Sequence, residues 1–473
     1  MSAVMQPALA DDFDPFSGGR VERAVPTTEA QRELWLGDRL GREASLAYNE
    51  AVQLRLRGRL DAQALASALD DLVARHESLR ATLSPDGMQL LIGEALPVAP
   101  AFHDLSAMDE PARRQRLEDA REAAVLTPFV LEHGPLFRAE LLRLAPDDHL
   151  LLMSAHHAVC DGWSWSVITR DLAALYGHRS GAAPAPQEAE RYSDYAAWEA
   201  AEAQQPGMQA HVDYWLSHFK GSLPVLELPL DHPRPAVRTF RSQRVDQDLD
   251  AALAGALRKL GAQAGTSLTA VLFGGFAGLL HRLTAQEDLV IGIAAAGQLA
   301  SGMHSLVGHC VNLLPLRVAV DARQPFAELV KRSGSTLLDA FEHQTLTFGA
   351  LLKKLPVGRD PSRLPLVSVL FNVDPDLSAG ASRFPGLQAE QWTVPRRFEN
   401  FELFLNIVAT RGGGMRMEAQ YNADLYDDAS IRRWLGMYET LLRSAAQEAS
   451  QPLGRLALLS PAEARAVRGL QPA

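Results

Sequence analysis

The sequence has 473 residues, which is enough for two or more hydrophobic cores at the usual size of protein domains. Its hydrophobic content of 47% and its charged content of 22% are ordinary for a soluble globular protein. The formal net charge of −11 argues against a general nucleic-acid-binding surface and against a surface that binds anionic membranes.

Signals for membranes, export and disulfides are missing from the sequence. The longest apolar run, Thr269–Leu280, is too short to span a bilayer, and its Gly and Ala content predicts a tightly packed core helix. Residues 1–19 lack a basic region followed by an apolar one, so we expect no secretory signal. Because two cysteines cannot form a disulfide framework, Cys160 and Cys310 are predicted to be small buried thiols of a cytoplasmic protein.

From the N-terminus, a polar stretch gives way to alternating strand and helix patterns. Residues 1–24 are predicted to be a tail or a linker. Residues 52–57 alternate apolar and polar side chains, which predicts a half-buried strand. Asp61 is expected to cap the following helix, in which leucine and valine recur at helical spacing as far as Val73.

A predicted hairpin leads to the stretch with the most distinctive chemistry, Ser154–Gly162. Its strands are predicted at Leu136–Leu144 and His149–Ser154, with a turn between them. After this stretch, residues 163–176 are predicted to form a helix that Ser164 caps.

Two adjacent histidines, His156 and His157, lie where the second strand of this hairpin ends. Neighbouring side chains of an extended segment point to opposite faces, so one imidazole should face a cavity and the other the protein. An imidazole pKa of about 6.5 suits proton transfer or amine orientation near neutral pH. The alternative is a core histidine beside a solvated one. A metal site with Asp161 and Cys160 is disfavoured, because the two rings diverge and no second cluster has ligand spacing.

The second half of the chain repeats the alternation of helix and strand. Residues 177–191, which contain Gly-Ala-Ala-Pro-Ala-Pro, are predicted to be the crossover between the halves. Helices are predicted at 269–283 and 326–343, and strands at 289–296, 367–373 and 401–410. The Pro/Gly-rich stretches 353–365 and 374–399 are predicted to be irregular, and such stretches are often functional.

Six sequence motifs follow one another along almost the whole chain. They begin at Pro26, Arg75, His156, Tyr192, Val307 and Tyr421, and they read PTTEAQRELW, RHESLR, HHAVCDG, YSDYAAW, VGHCVNLLPLR and YNADLY. In this order they resemble the motifs of condensation domains of nonribosomal peptide synthetases, which belong to the chloramphenicol acetyltransferase superfamily and carry HHxxxDG. The fifth motif departs from the family's pattern: Leu313 stands where Thr is commoner, and His309-Cys310 replaces a bulky apolar pair.

The resemblance implies an α/β (α+β) fold of two chloramphenicol acetyltransferase-like lobes, arranged as a V-shaped pseudo-dimer with a tunnel at the interface. The N-terminal lobe is predicted at residues 25–180, the C-terminal lobe at 181–452, and a linker towards an adenylation domain at 453–473.

The implied reaction is amide formation between a donor acyl or peptidyl thioester and the amine of an acceptor aminoacyl thioester. Both substrates are carried on the phosphopantetheine of carrier proteins, so the domain itself is expected to bind no cofactor and no metal. The expected partners are an upstream donor carrier, a downstream acceptor carrier and the adjoining adenylation domain. Neither nucleic acid nor membrane is expected, and the domain is expected to be a monomer within a multidomain synthetase.

By the same resemblance, His157 is the catalytic histidine, acting as general base or orienting the amine. His156 is expected to brace the loop, and Gly162 to let the thioester approach the backbone and to offer its N–H as an oxyanion or amine contact. Asp161 is expected to turn inward and pair with an arginine.

The arginines predicted to support the site are Arg75 and Arg80. The residues predicted to line the substrate channel are Asn312, Trp163, Ser164 and Trp198. For Trp198, packing between the lobe and the crossover is the alternative to a channel contact.

The subtype stays open on sequence. Residues 161–164, DGWS, resemble elongation domains, whereas the VNLLP variant is reminiscent of hybrid assembly lines with polyketide or fatty acyl donors. A starter domain that N-acylates the first amino acid is therefore an alternative. Epimerisation relatives differ in the later motifs, and heterocyclising relatives replace the histidines with aspartates. A non-catalytic platform that recruits a partner is the alternative of another class, although such members lose the second His or the Gly.

Overall fold

The computed structural model describes residue 16 and residues 19–98, 100–374, 384–460 and 463–465. Within these ranges the chain alternates strands and helices, and the strands form a three-stranded, a five-stranded and a six-stranded sheet. The strands are β1 (Val21–Pro26), β2 (Asn49–Arg57), β3 (Ala81–Leu83), β4 (Gln89–Gly93), β5 (Ala101–Asp104), β6 (Phe137–Ala145), β7 (Asp148–His156), β8 (Ser242–Leu249), β9 (Asp288–Ala296), β10 (Val311–Ala319), β11 (Val369–Asp374), β12 (Gln388–Thr393), β13 (Leu403–Ala409) and β14 (Met415–Asn422).

Helices pack apolar side chains against these sheets. They are α1 (Glu29–Asp38), α2 (Arg42–Leu46), α3 (Ala62–Arg75), α4 (Glu110–Leu126), α5 (Gly162–Arg179), α6 (Tyr192–Glu202), α7 (Met208–His218), α8 (Ala251–Gln263), α9 (Leu268–Thr284), α10 (Gly297–Ser301), α11 (Phe326–Glu342), α12 (Phe348–Leu352) and α13 (Asp428–Gln447). Short 3-10 turns lie at Glu77–Arg80 and Leu453–Arg455.

The N-terminal lobe is built on the five-stranded sheet, whose order is β12-β2-β7-β6-β5. β2 alternates buried and partly exposed side chains along most of its length, as the period of two predicts for a strand whose two faces are covered unequally. α3 and α5 bury their apolar side chains against one face of the sheet, and α4 covers the other. Asp61 caps α3 by accepting the Ala64 N–H at 2.9 Å, so that prediction is confirmed.

The C-terminal lobe is built on the six-stranded sheet, whose order is β10-β9-β11-β13-β14-β8. α8, α9, α11 and α13 cover one face and enclose the largest hydrophobic core. α9 is central to it, and a Cβ on its Gly275 would lie only 2.7 Å from the Leu442 side chain, so glycine permits this close packing. The predicted core helix at 269–283 is therefore confirmed.

The opposite face of this sheet carries a polar row. Asn372, Asn406 and Glu418 are direct partners across β11, β13 and β14. Glu418 lies 3.3 Å from the hydroxyl of Thr393, on a strand of the N-terminal lobe's sheet. This row therefore faces the other lobe.

The boundaries between the predicted domains differ from the structure in three places. β12 lies within the predicted irregular stretch 374–399 and pairs with β2, so a strand from the second half completes the sheet of the first. β1 begins at Val21, inside the predicted tail, and its backbone pairs with β4. Leu453 and Leu456, placed in the predicted linker, are buried in the core of the C-terminal lobe. Residues 375–383 of the irregular stretch lie outside the described residues.

Among the described residues, no single helix is long and apolar enough to cross a bilayer. The consecutive helices α8 and α9, bent by 100°, pass that test only when taken together and only by length and composition.

Candidate active site

The histidine pair lies at the end of β7, and the two rings do point apart as predicted. His156 is fully buried, and its Nδ1 accepts the Ala158 N–H at 3.1 Å. Its Nε2 lies 3.6 Å from a carboxylate oxygen of Asp38 on α1. Burial lowers the pKa of His156, although Asp38 acts in the opposite direction. A neutral, buried His156 thus braces the loop against α1 and faces away from any substrate.

His157 faces the opposite side and keeps 19% of its side chain exposed. Its Nδ1 lies 2.7 Å from the carbonyl oxygen of Cys160. Since a carbonyl oxygen can only accept, Nδ1 must carry the hydrogen, and in the neutral ring Nε2 holds the free lone pair. The backbone therefore fixes the tautomer with Nε2 as the acceptor, which suits a group that takes or orients a proton of an amine.

Asp161 is fully buried and caps α5. Its carboxylate accepts four hydrogen bonds, none of which comes from an arginine. One oxygen accepts from the backbone and hydroxyl of Ser164, and the other from Gln298 Nε2 at 2.9 Å and Cys310 N at 3.0 Å. Burial raises the pKa of Asp161, and these donors act against that rise. The inward orientation is confirmed, but the predicted arginine partner is wrong.

Arg75 and Arg80 pair elsewhere, because other carboxylates and carbonyls lie within their reach. Arg75 Nε lies 2.8 Å from Asp171 of α5, in an ion pair whose side chains are 14% and 5% exposed. Arg80 pairs with Glu22 of β1 and with the carbonyl of Gly93. Both arginines fix elements of the N-terminal lobe, and neither contacts the HHxxxDG loop.

Gly162 is the first residue of α5 and is exposed. A Cβ built on it would find no atom within 4 Å, so open space lies beside the backbone here. The N–H groups of the first helical turn have no partner inside the helix and carry the positive end of its dipole. The geometry thus leaves open space and N–H donors at the start of α5, five residues along the chain from His157.

The four predicted channel residues have protein partners. Both amide hydrogens of Asn312 are donated to the carbonyls of Gln344 and Leu346, so Asn312 fixes that loop and has no donor left for a substrate. Ser164 is buried, and it is not the helix cap, because Asp161 takes that position. Its hydroxyl and the backbone of Gly308 lie 3.0 Å apart.

The two predicted tryptophans differ from each other. Trp163 is half-buried and donates its Nε1–H to the carbonyl of His304 at 3.0 Å, which joins α5 to the C-terminal half of the chain. Trp198 packs against Tyr195, with ring centroids 5.5 Å apart, in the small core around α6. The packing alternative therefore describes Trp198 better than a channel contact does.

His157 also has two neighbours that the motifs did not predict. Glu50 of β2 places one carboxylate oxygen 3.8 Å from His157 Nε2. The ring of His309 meets the ring of His157 edge to face at 4.7 Å, and burial lowers the pKa of His309 well below its usual value.

Both had a signal in the sequence. Glu50 interrupts the apolar face of the strand that continues through Val52, Leu54 and Leu56, and His309 is a departure from the fifth motif.

The cysteines are buried, as predicted. Burial raises the pKa of Cys160 and of Cys310 well above the usual thiol value, which disfavours a nucleophilic thiolate. The described part of the chain contains no group of three His, Cys, Asp or Glu side chains arranged to hold a metal ion.

A family model for the condensation domain matches residues 21–467. The chain belongs to the condensation domain family. Chondramide synthase cmdD of Chondromyces crocatus is 33% identical over 443 residues, which are 93% of this chain and 11% of that protein. Surfactin synthase subunit 2 of Bacillus subtilis (strain 168) is 32% identical over 457 residues, which are 96% of this chain and 12% of the relative. The chain thus spans a small part of the length of these relatives.

The fold of this condensation domain is also found in solved structures. The first condensation domain of the CDA synthetase superposes with a TM-score of 0.77 at 22% identity, covering 93% of this chain and 100% of that one. The predicted family, the condensation domains of nonribosomal peptide synthetases, and the predicted two chloramphenicol acetyltransferase-like lobes are therefore confirmed.

Proposed function

We propose that this condensation domain forms an amide bond between a donor acyl or peptidyl thioester and the amine of an acceptor aminoacyl thioester. Both thioesters are held on the phosphopantetheine arms of carrier proteins, and the domain itself binds no cofactor. Its partners are an upstream and a downstream carrier and an adjoining adenylation domain, in the cytoplasm. Family membership and the relatives' much greater length support this assignment.

The observation that carries the proposal is the fixed tautomer of His157. Its Nδ1–H is held by the Cys160 carbonyl at 2.7 Å, and its Nε2 is turned to the partly open side of the loop. An acceptor at that position orients an amine for attack and takes its proton as the carbon–nitrogen bond forms. The open space beside Gly162 and the N-terminus of α5 suit the tetrahedral oxyanion.

We assign Asp161 a structural role and leave the donor's class open between a peptidyl group and a fatty or polyketide acyl group. In the second case the domain would N-acylate the first amino acid of the product.

The test is a single-turnover assay of His157→Ala with loaded carriers, read by mass spectrometry of the arm-bound product. We expect amide formation to fall about 100- to 10,000-fold, the usual range for a lost acid–base group. His178→Ala, an exposed histidine on α5, is the matched control and should keep its turnover. Near-wild-type turnover of His157→Ala, with a melting temperature unchanged, would refute the catalytic role of His157, whereas a wild type that forms no amide would favour a recruiting platform.

A further inference from the structure

Two hydrogen-bond acceptors face each other at His157. In the neutral ring Nε2 carries a lone pair, because Nδ1 holds the hydrogen that is donated to Cys160. Oε1 of Glu50 lies 3.8 Å from that Nε2, while Oε2 of Glu50 accepts the Trp165 Nε1–H at 3.1 Å. At 3.8 Å the nitrogen and the oxygen are too far apart for a hydrogen bond.

Neither acceptor is satisfied by the surrounding protein. Among the described residues, Glu50 forms no ion pair with a lysine or an arginine. The side chains of Glu50 and His157 are only 16% and 19% exposed, so solvation is limited on both sides. Two partly buried acceptors at this spacing match a group that donates two hydrogens from one atom.

We propose that Glu50 and His157 together bind the attacking amine of the acceptor, each accepting one N–H hydrogen. A single nitrogen can lie at about 2.9 Å from both acceptors when these are 3.8 Å apart. This assignment rests on the proposed function and adds a second catalytic residue to it, with the amine as the recognised group. A hydroxyl acceptor has only one hydrogen and satisfies only one of the two acceptors.

The amine reacts from this position without any further reagent. Its lone pair attacks the thioester carbonyl carbon, the carbon–nitrogen bond forms and the carbon–sulfur bond breaks. Nitrogen becomes positive in the tetrahedral intermediate, and the negative charge of Glu50 stabilises it. The proton passes to Nε2 of His157 and then to the departing sulfur, which leaves as a thiol.

The surroundings favour positive charge at this point. The His309 ring that packs on His157 is neutral, because burial lowers its pKa well below the usual value. Asp374, at the end of β11, accepts hydrogen bonds from Asn372 and Asn406 and lies close enough for Glu50 to raise its pKa beyond the effect of burial. The neutral His309 ring therefore adds no positive charge that would oppose an amine at this point.

The experiment compares two probes that differ only in the attacking group. They are glycyl-pantetheine and glycolyl-pantetheine in which the thioester sulfur is replaced by NH, so neither is consumed. Binding to the full chain is measured by calorimetry, and nitrogen NMR follows the histidine side chains. We expect the wild type to bind the amine at least tenfold more tightly than the hydroxyl, with a shift at Nε2 of His157.

Glu50→Gln and Glu50→Ala should remove this preference while leaving the melting temperature within a few degrees. Glu390→Gln, a half-exposed glutamate on β12, is the matched control and should keep the preference. A wild type without amine preference, or a preference that survives in both Glu50 variants, would overturn the assignment. Loss of turnover in His157→Ala beside a preference that survives in both Glu50 variants would overturn this inference alone and leave the proposed function standing.

Discussion

At the scale of single residues, the HHxxxDG loop is held by hydrogen bonds rather than by an ion pair. Asp161 receives donors from its own helix and from two points in the C-terminal half of the chain, Gln298 and Cys310. A sequence cannot reveal this, because Gln298 and Cys310 are 137 and 149 residues away along the chain and amides and backbone groups leave no charge pattern. Arg75 has the positive charge that would suit Asp161, but its ion-pair partner is Asp171.

Asp161→Asn tests this network. The amide nitrogen of Asn would face the Gln298 Nε2–H and the Cys310 N–H, so two buried donors would lose their acceptor, at about 1–3 kcal/mol each. The neutral side chain avoids a buried charge and offsets part of that cost. We expect a lower free energy of unfolding in urea. Asp213→Asn, an exposed site on α7, should change it by less than about 0.5 kcal/mol. A variant as stable as the wild type would show that the bonds to Gln298 and Cys310 contribute little.

At the scale of elements, strongly periodic segments could be predicted from the sequence and their partners could not. The predicted strand 289–296 and helix 326–343 are present as β9 and α11 within one residue at each end. The sequence does not predict β12, because this strand lies in a Pro/Gly-rich stretch and its burial depends on pairing with β2. Glu50 and His309 could have been suspected from broken patterns, but their contact with His157 depends on the tertiary fold.

The contact between α1 and α12 predicts a pH-dependent stability. Glu33 on α1 accepts the Gly349 N–H of α12 at 2.8 Å, and burial raises its pKa to about 7. Because the folded state binds this proton more tightly than the unfolded state, stability is fully present below the unfolded pKa of 4.5 and declines as pH rises to about 7. Glu33→Gln keeps the acceptor and removes the charge. We expect it to gain about 1–3 kcal/mol at pH 8 and almost nothing at pH 4.5.

The measurement is urea unfolding of Glu33→Gln at both pH values, with Glu29→Gln as the matched variant on the same helix. Burial alone would raise the pKa of Glu29, but its bonds to Lys353 and Arg32 outweigh burial and the net pKa is lowered. Glu29→Gln should therefore lose stability at pH 8. An equal effect of Glu33→Gln at both pH values would show that its carboxyl does not titrate with folding.

At the scale of the whole molecule, the two halves of the chain contribute to a common sheet and to a common hydrophobic core. β12 gives an edge strand to the N-terminal sheet, and Leu306 and Cys310 belong to the same small core as Tyr192 and β4. The predicted split after residue 180 followed the composition of the chain, and composition does not report a strand that crosses from one half to the other.

This sharing predicts a single cooperative unfolding transition. Hydrogen exchange with mass spectrometry across a urea series should give the same midpoint for peptides from β2 in the N-terminal sheet and from β14 in the C-terminal sheet. Peptides from α4, which packs mainly against strands of the N-terminal sheet, serve as the internal reference. Two separated midpoints would show that the lobes unfold independently and that β12 adds little to their coupling.

The hydrogen bonds between the start of α5 and residues 304–310 have a consequence for the design of chimeric proteins. Trp163 is tied to His304, Ser164 to Gly308 and Asp161 to Cys310. The reactive loop is thus encoded in two distant parts of the gene, and neither part specifies its geometry without the other. A chimera that joins two parent proteins within residues 177–191 would combine the HHxxxDG loop of one parent with the hydrogen-bond partners of the other. If residues 154–164 and 297–310 come from the same parent, the hydrogen bonds that fix the loop are kept in the chimera.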